Sequence, residues 1–208
     1  MLVGREAEMA LLRKALQDGK TALIVIGSAP GMGRSTLLQE LRRCAEDMNW
    51  RVLPPLSKEE QAADAFSIDR DTTECDFLES ISSGRPLDSK ASDKTLILIN
   101  NYQPSEAFER AFLQHCIPEM NLAASPLIIV AAGYPGDMAS LKPCADLNIE
   151  LDRLPIRATR EYFNSLNQRI QARMLEEEIE EYAAAAAEDP GLMGALTRLL
   201  ECDRTSYT

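Results

Sequence analysis

The stretch Ser28-Ala29-Pro30-Gly31-Met32-Gly33-Arg34-Ser35-Thr36 is the part of this 208-residue sequence best suited to chemistry. It follows a short apolar run, Thr21 to Ile26, and opens a segment with helical spacing. In that setting small residues let consecutive backbone N–H groups turn inward around an anion, and the start of the helix adds partial positive charge. Gly31 and Gly33 meet that need, with Pro30, Met32 and Thr36 completing the loop. Against the phosphate-binding pattern G-x-x-x-x-G-K-[ST], Gly33 and Ser35 match, while Ser28 stands at the first glycine and Arg34 at the lysine. Arg34 keeps the positive charge, but its planar guanidinium does not reproduce a compact ammonium. Ser35 is the residue that would touch Mg²⁺ if the ion is bound.

Hydrolysis on such a loop also needs acids. In working P-loop NTPases an apolar strand ends in Asp, which organises Mg²⁺, and many follow it with Glu, which orients or deprotonates water. The strand with that layout is Thr95-Leu96-Ile97-Leu98-Ile99-Asn100-Asn101, and both acidic positions are Asn. An amide brings no negative charge to a metal and takes no proton near neutral pH. Losing a positioned general base alone costs a factor on the order of 10² to 10⁴ in rate. The expectation is therefore a loop that holds ATP or ADP, binds Mg²⁺ weakly or not at all, and has no catalytic residue. Glu106, Glu109, Asp64, Asp69, Asp71 and Asp76 offer no spacing that aims one of them at a phosphate. With His115 the only histidine, a catalytic triad or a histidine metal site is excluded in practice.

The positioning elements follow from periodicity. Arg5 to Gln17 places Met9, Leu12 and Leu16 at helical spacing, and Ser35 to Asp47 does the same through Leu37, Leu38, Leu41 and Ala45. Short apolar runs at Thr21–Ile26, Arg51–Pro54, Thr95–Ile99, Leu127–Ala132 and Asn148–Leu151 read as strands. Weak helices are expected around 61–66 and 74–81, a loop over 82–94, and a helix over Ser105 to Cys116. Strands alternating with helices predict an α/β domain, three-layer α/β/α with a mostly parallel sheet, since parallel strands need crossover connections. Beyond Leu154 only helices are expected: Arg160 to Ile170 with Thr159 as N-cap, Glu176 to Ala187, and Gly191 to Leu200. The division expected is an α/β core over 1–154 and a small all-helical lid subdomain over 155–208.

Composition narrows the function classes. A hydrophobic fraction of 45% and a charged fraction of 26% are ordinary for a globular protein. No apolar run approaches the roughly 20 residues that span a bilayer, and Met1 to Glu8 does not read as a secretory signal. Five widely spaced cysteines without a Cys-x-x-Cys pair predict reduced thiols in a cytoplasmic setting. A formal charge of −11 repels polyphosphate backbones, which argues against nucleic acid as a partner. The acidic run Glu176 to Glu181 reads as a solvated helix face, with a partner-binding surface as the alternative.

These residues together resemble a family. Leu2-Val3-Gly4-Arg5-Glu6-Ala7-Glu8 resembles the hhGRExE box that opens STAND-type and origin-recognition-type ATPases, placed about twenty residues before the phosphate loop as in that family. The loop itself, the strand ending in Asn100 and Asn101, and Glu188-Asp189-Pro190-Gly191-Leu192, similar to the GxP motif of the STAND lid, continue the resemblance along nearly the whole chain. It implies an ATP/ADP pocket between core and lid, with Gly4 and Arg5 near the adenine and Gly31 to Thr36 on the phosphates. It further implies a degenerate, inactive STAND domain that works as a regulatory or protein-interaction module. The alternatives are a slow ATPase completed by a partner and a scaffold that has lost nucleotide altogether.

Overall fold

The computed structural model describes residues 3–53, 94–102, 110, 113–114, 117–120, 125–170 and 174–205. The weak helices and the loop expected over 61–94 lie outside these residues, Lys94 excepted, as does most of the helix expected over 105–116. By its contacts the chain divides into two compact units, one of Glu8–Ser28 and Arg34–Glu150, the other of Met1–Ala7, Ala29–Gly33 and Leu151–Thr208.

The first unit is built on a sheet. Helix α1 (Glu6–Asp18), strand β1 (Ala22–Ser28), helix α2 (Arg34–Asp47), β2 (Arg51–Leu53), β3 (Thr95–Tyr102), the short α3 (Ile117–Met120), β4 (Leu127–Gly133) and β5 (Leu147–Leu151) follow in chain order. The strands lie in the order β2-β3-β4-β1-β5, and β1 with β4, β3 with β4 and β2 with β3 pair in parallel. The expected α/β class with a parallel sheet and C-terminal helices is what the chain adopts. β1 and β4 are buried along almost their whole length because the sheet is covered on both faces, so they read as unbroken apolar runs. Met9, Leu12 and Leu16 line the buried stripe of α1, and Leu37, Leu38, Leu41 and Ala45 that of α2.

β3 runs past the expected end at Ile99 and takes in Asn100 and Asn101. Its register against β4 slips at that point: Ile99 faces Ala131, but Tyr102 faces Gly133, so three steps on one strand match two on the other. A bulge of this kind inserts one residue and reverses the alternation of faces beyond it. Tyr102 accordingly packs in one cluster with Ile97, Ile99, Leu23, Val25, Ile129 and Ala131, although its parity is that of Leu96 and Leu98. Gly133 answers the bulge from the neighbouring strand: a Cβ there would lie 2.7 Å from the Tyr102 carbonyl oxygen and 2.7 Å from Met138 Cε.

The second unit carries the helices α4 (Ile156–Ile170), α5 (Glu176–Glu188) and α6 (Gly191–Thr205). Phe163, Leu166 and Ile170 of α4 meet Ile179, Ala183 and Ala186 of α5, with Met193, Leu196 and Leu200 of α6 packed against them. The alanine run has an interior face: Ala183, Ala186 and Ala187 are buried, where their small side chains let the α5 backbone approach α4, while Ala184 and Ala185 are exposed. Thr159 corrects an expectation. It is no N-cap, because the helix starts at Ile156 directly after Pro155, a residue suited to a helix start. Its buried hydroxyl instead donates within 2.9 Å of the Ile156 carbonyl and 2.8 Å of the Ala183 carbonyl, tying α4 to α5. Arg160 pairs with both Glu176 and Glu180 on the acidic face of α5.

Two substitutions test this packing. Phe163→Ala, which empties a fully buried site in the helical unit, should lower stability by about 3–5 kcal/mol in denaturant unfolding. Gly133→Ala must push the bulge carbonyl away, and we expect a loss of more than about 1 kcal/mol in the sheet unit, whereas Gly136→Ala, in open space, leaves the midpoint unchanged.

Candidate functional site

The phosphate loop can be built up from its two ends. Ala29 to Gly33 belong to the helical unit, where Ala29, Pro30 and Gly31 are exposed and Met32 and Gly33 half-buried. Gly31 (φ 77) and Gly33 (φ 82) both sit in the left-handed region that favours glycine, so the sequence could not place a β-branched residue at either without strain. A Cβ on Gly33 would meet nothing within 4 Å, so this side of the loop is open space. Alternating left-handed residues make a concave run of N–H groups of the kind that holds anions.

Arg5 anchors this segment. It is 3% exposed, and its guanidinium donates to the Met32 carbonyl at 3.0 Å and to the Asp152 carbonyl. One buried side chain therefore ties the loop to the chain leading into α4. Gly4 beside it has φ +64, and a Cβ there would fall 3.1 Å from Ala158 Cβ and 3.2 Å from Leu154 Cδ2. The glycine and arginine of the opening box thus have a packing role that their types did not reveal: close approach for one, carbonyl capture for the other.

In the sheet unit, Arg34, Ser35 and Asn100 come together. Arg34 Nε donates to Asn100 Oδ1 at 3.0 Å, and Asn100 Nδ2 donates to Ser35 Oγ at 3.1 Å. Arginine only donates, so the amide must turn its oxygen to Arg34 and its NH₂ to the serine. The guanidinium also lies over the Tyr134 ring, 5.5 Å from its centre. Asn100 is 3% exposed, and its amide satisfies both neighbours in a place where an unpaired polar group is costly. Thr36 is exposed in the first turn of α2, and the side chain of Asn101 lies outside the described residues.

Whether the expected ligands suit these residues can be judged from the donor set. Within the helical unit the segment Ala29–Gly33 suits an anion, with two left-handed glycines and open space at Gly33; in the sheet unit the Ser28 hydroxyl is 1% exposed and has no hydrogen-bond partner among the described residues. In the sheet unit, Ser35 and Asn100 do not suit Mg²⁺: the Asn100 N–H faces the serine oxygen, so it cannot accept the hydroxyl proton as a carboxylate would, and it brings no negative charge to the ion. Among the described residues no group of three or more His, Cys, Asp or Glu could hold a metal ion. Glu150 stands over Gly27 near the end of β1, but Lys142 pairs with it. Tyr134 was not expected at the site; it follows β4 directly, and carboxyl ends of strands are where ligands gather in open α/β sheets, which was the available signal.

No protein-family model and no curated protein sequence matches the chain. Solved structures do. The Thermotoga maritima RuvB Holliday junction branch migration motor superposes with a TM-score of 0.61 at 17% identity, covering 94% of this chain and 61% of that one. Domain III of the Thermotoga maritima replication initiation protein DnaA gives 0.60 at 15% identity, covering 99% and 86%. A chain of the E. coli MS115-1 HORMA:CdnC:Trip13 complex gives 0.57 at 14% identity, covering 88% and 73%. The chain thus spans about six tenths of the RuvB length. At these identities the likeness is one of fold: a parallel five-stranded sheet with flanking helices and further helices C-terminal to it, as in the RuvB and DnaA chains.

Proposed function

We propose that this chain is a catalytically degenerate, STAND-like nucleotide-binding module, which holds ATP or ADP on its phosphate loop without efficient hydrolysis and acts in regulation through protein partners. The observation that carries this reading is the Asn100 amide joined to both Arg34 and Ser35. In a hydrolysing site a carboxylate at this point frees the serine oxygen for Mg²⁺ and holds the ion's charge. Here the amide donates to that oxygen and accepts from the arginine, so charge balance around the phosphates rests on Arg34 and on backbone N–H groups. Gly4, Arg5 and Pro30 to Thr36 form the nucleotide-binding set, Arg5 through the loop carbonyl that it fixes.

The fold neighbours lend support in kind. One is the replication initiator DnaA bound to AMPPCP and single-stranded DNA, and another comes from a complex with HORMA and CdnC proteins. A formal charge of −11 favours a protein partner over DNA for this chain. Among the described residues no helix is long and apolar enough to cross a membrane. We place the module in the cytoplasm on the strength of its cysteine pattern.

Calorimetric titration with ADP and ATP tests the proposal directly. Both should bind with affinities that change less than about twofold between EDTA and millimolar Mg²⁺, because the ion gains no carboxylate here. Phosphate release should stay at background; release that disappears in Arg34→Ala would instead establish the slow-ATPase alternative. Asn100→Asp should introduce Mg²⁺ dependence, since it adds a negative charge for the ion and an oxygen that accepts the Ser35 proton. Arg34→Ala should weaken nucleotide on the order of tenfold through loss of a charge-assisted contact.

A further inference from the structure

The turn that joins α5 to α6 touches the phosphate loop within the helical unit, and its chemistry is opposite to what a phosphate needs. Asp189 Oδ1 would lie 2.8 Å from a Cβ placed on Gly31, and a Cβ on Gly191 would fall 3.5 Å from the Gly31 Cα. The two glycines therefore let the Asp189-Pro190-Gly191 turn rest backbone to backbone on the loop. The carboxylate is fixed there by accepting the Gly191 N–H at 3.0 Å. Arg5 holds the next residue of the loop, Met32, by its carbonyl. The same short segment is thus gripped by a cation that binds its carbonyl and faced by an anion at its exposed glycine.

We propose that Asp189 is a negative determinant of ligand charge at the phosphate loop: its carboxylate disfavours polyanionic ligands in proportion to their phosphate charge, so that the module holds nucleotide less tightly than the loop alone would. This rests on the nucleotide-binding reading above. The physical cause is direct. A carboxylate a few ångströms from the loop raises the free energy of each phosphate negative charge brought to it, and the penalty is screened by salt. The turn itself does not need the charge, because the hydrogen bond from Gly191 requires only an oxygen acceptor. Asn at this position supplies the same acceptor without the anion.

The experiment is calorimetric titration of the full chain with adenosine, AMP, ADP and ATP in EDTA, comparing the unmodified protein with Asp189→Asn and, should that variant not fold, Asp189→Ser. Glu161→Gln, an exposed substitution on α4, controls for net charge. Asp189→Asn should tighten ADP and ATP by about tenfold at low salt, AMP by less and adenosine not at all, and the gain should shrink towards unity near 1 M salt. An equal gain for adenosine and ADP, no gain, or a loss of affinity would overturn the proposal while leaving nucleotide binding in place. Absence of binding by every protein to every ligand would instead remove the nucleotide-holding reading, and this inference with it.

Discussion

A parallel strand covered on both faces sends every side chain into packed surroundings, so any polar residue within it must find its partners inside the protein. In β3 one such residue is Asn100, and much of the candidate site meets its requirements. Its oxygen takes the Arg34 donor, its nitrogen gives to Ser35, and the three side chains settle one another in the sheet unit. The amide answers two neighbours with its two ends, as acceptor to Arg34 and as donor to Ser35.

The bulge in β3 is what makes this arrangement compatible with the core. Without the extra residue, Tyr102 would turn away from the cluster of Ile97, Ile99, Ile129 and Ala131 that it fills. With it, the strand carries Asn100 on one face and recovers an apolar contact on the other within three residues. Gly133 is the complementary feature on β4, since any side chain there would strike the Tyr102 carbonyl. Local irregularity, glycine placement and the polar site are therefore one structural solution, in line with the tendency of bulges to occur beside functional residues.

The helical unit is organised around the loop segment Ala29–Gly33 in a different way. Arg5 collects two backbone carbonyls, of Met32 and Asp152, that lie outside the helices and strands, and Gly4 allows close packing on the first turn of α4. The opening box of the sequence is in this sense a structural clasp. The turn at Asp189 completes the surroundings of Gly31 from α5 and α6. The acidic face of α5 is held in part by Arg160, which pairs with two of its glutamates, while Ala183, Ala186 and Ala187 lie in the interior.

Much of this was written in the residues themselves. Short apolar runs marked the strands, period-3.6 stripes marked α1 and α2, helix propensity and the Pro190 break marked α5 and α6, and the amides at Asn100 and Asn101 are a matter of residue type alone. Such features are local, and local chemistry is readable without coordinates. Strand order, the bulge, the ring of Tyr134 under Arg34, the double role of Thr159 between α4 and α5, and the Asp189 carboxylate against Gly31 could be settled only by folding. Each joins residues far apart in the chain, and the partner of a side chain across such a separation is fixed by packing rather than by the identity of its neighbours.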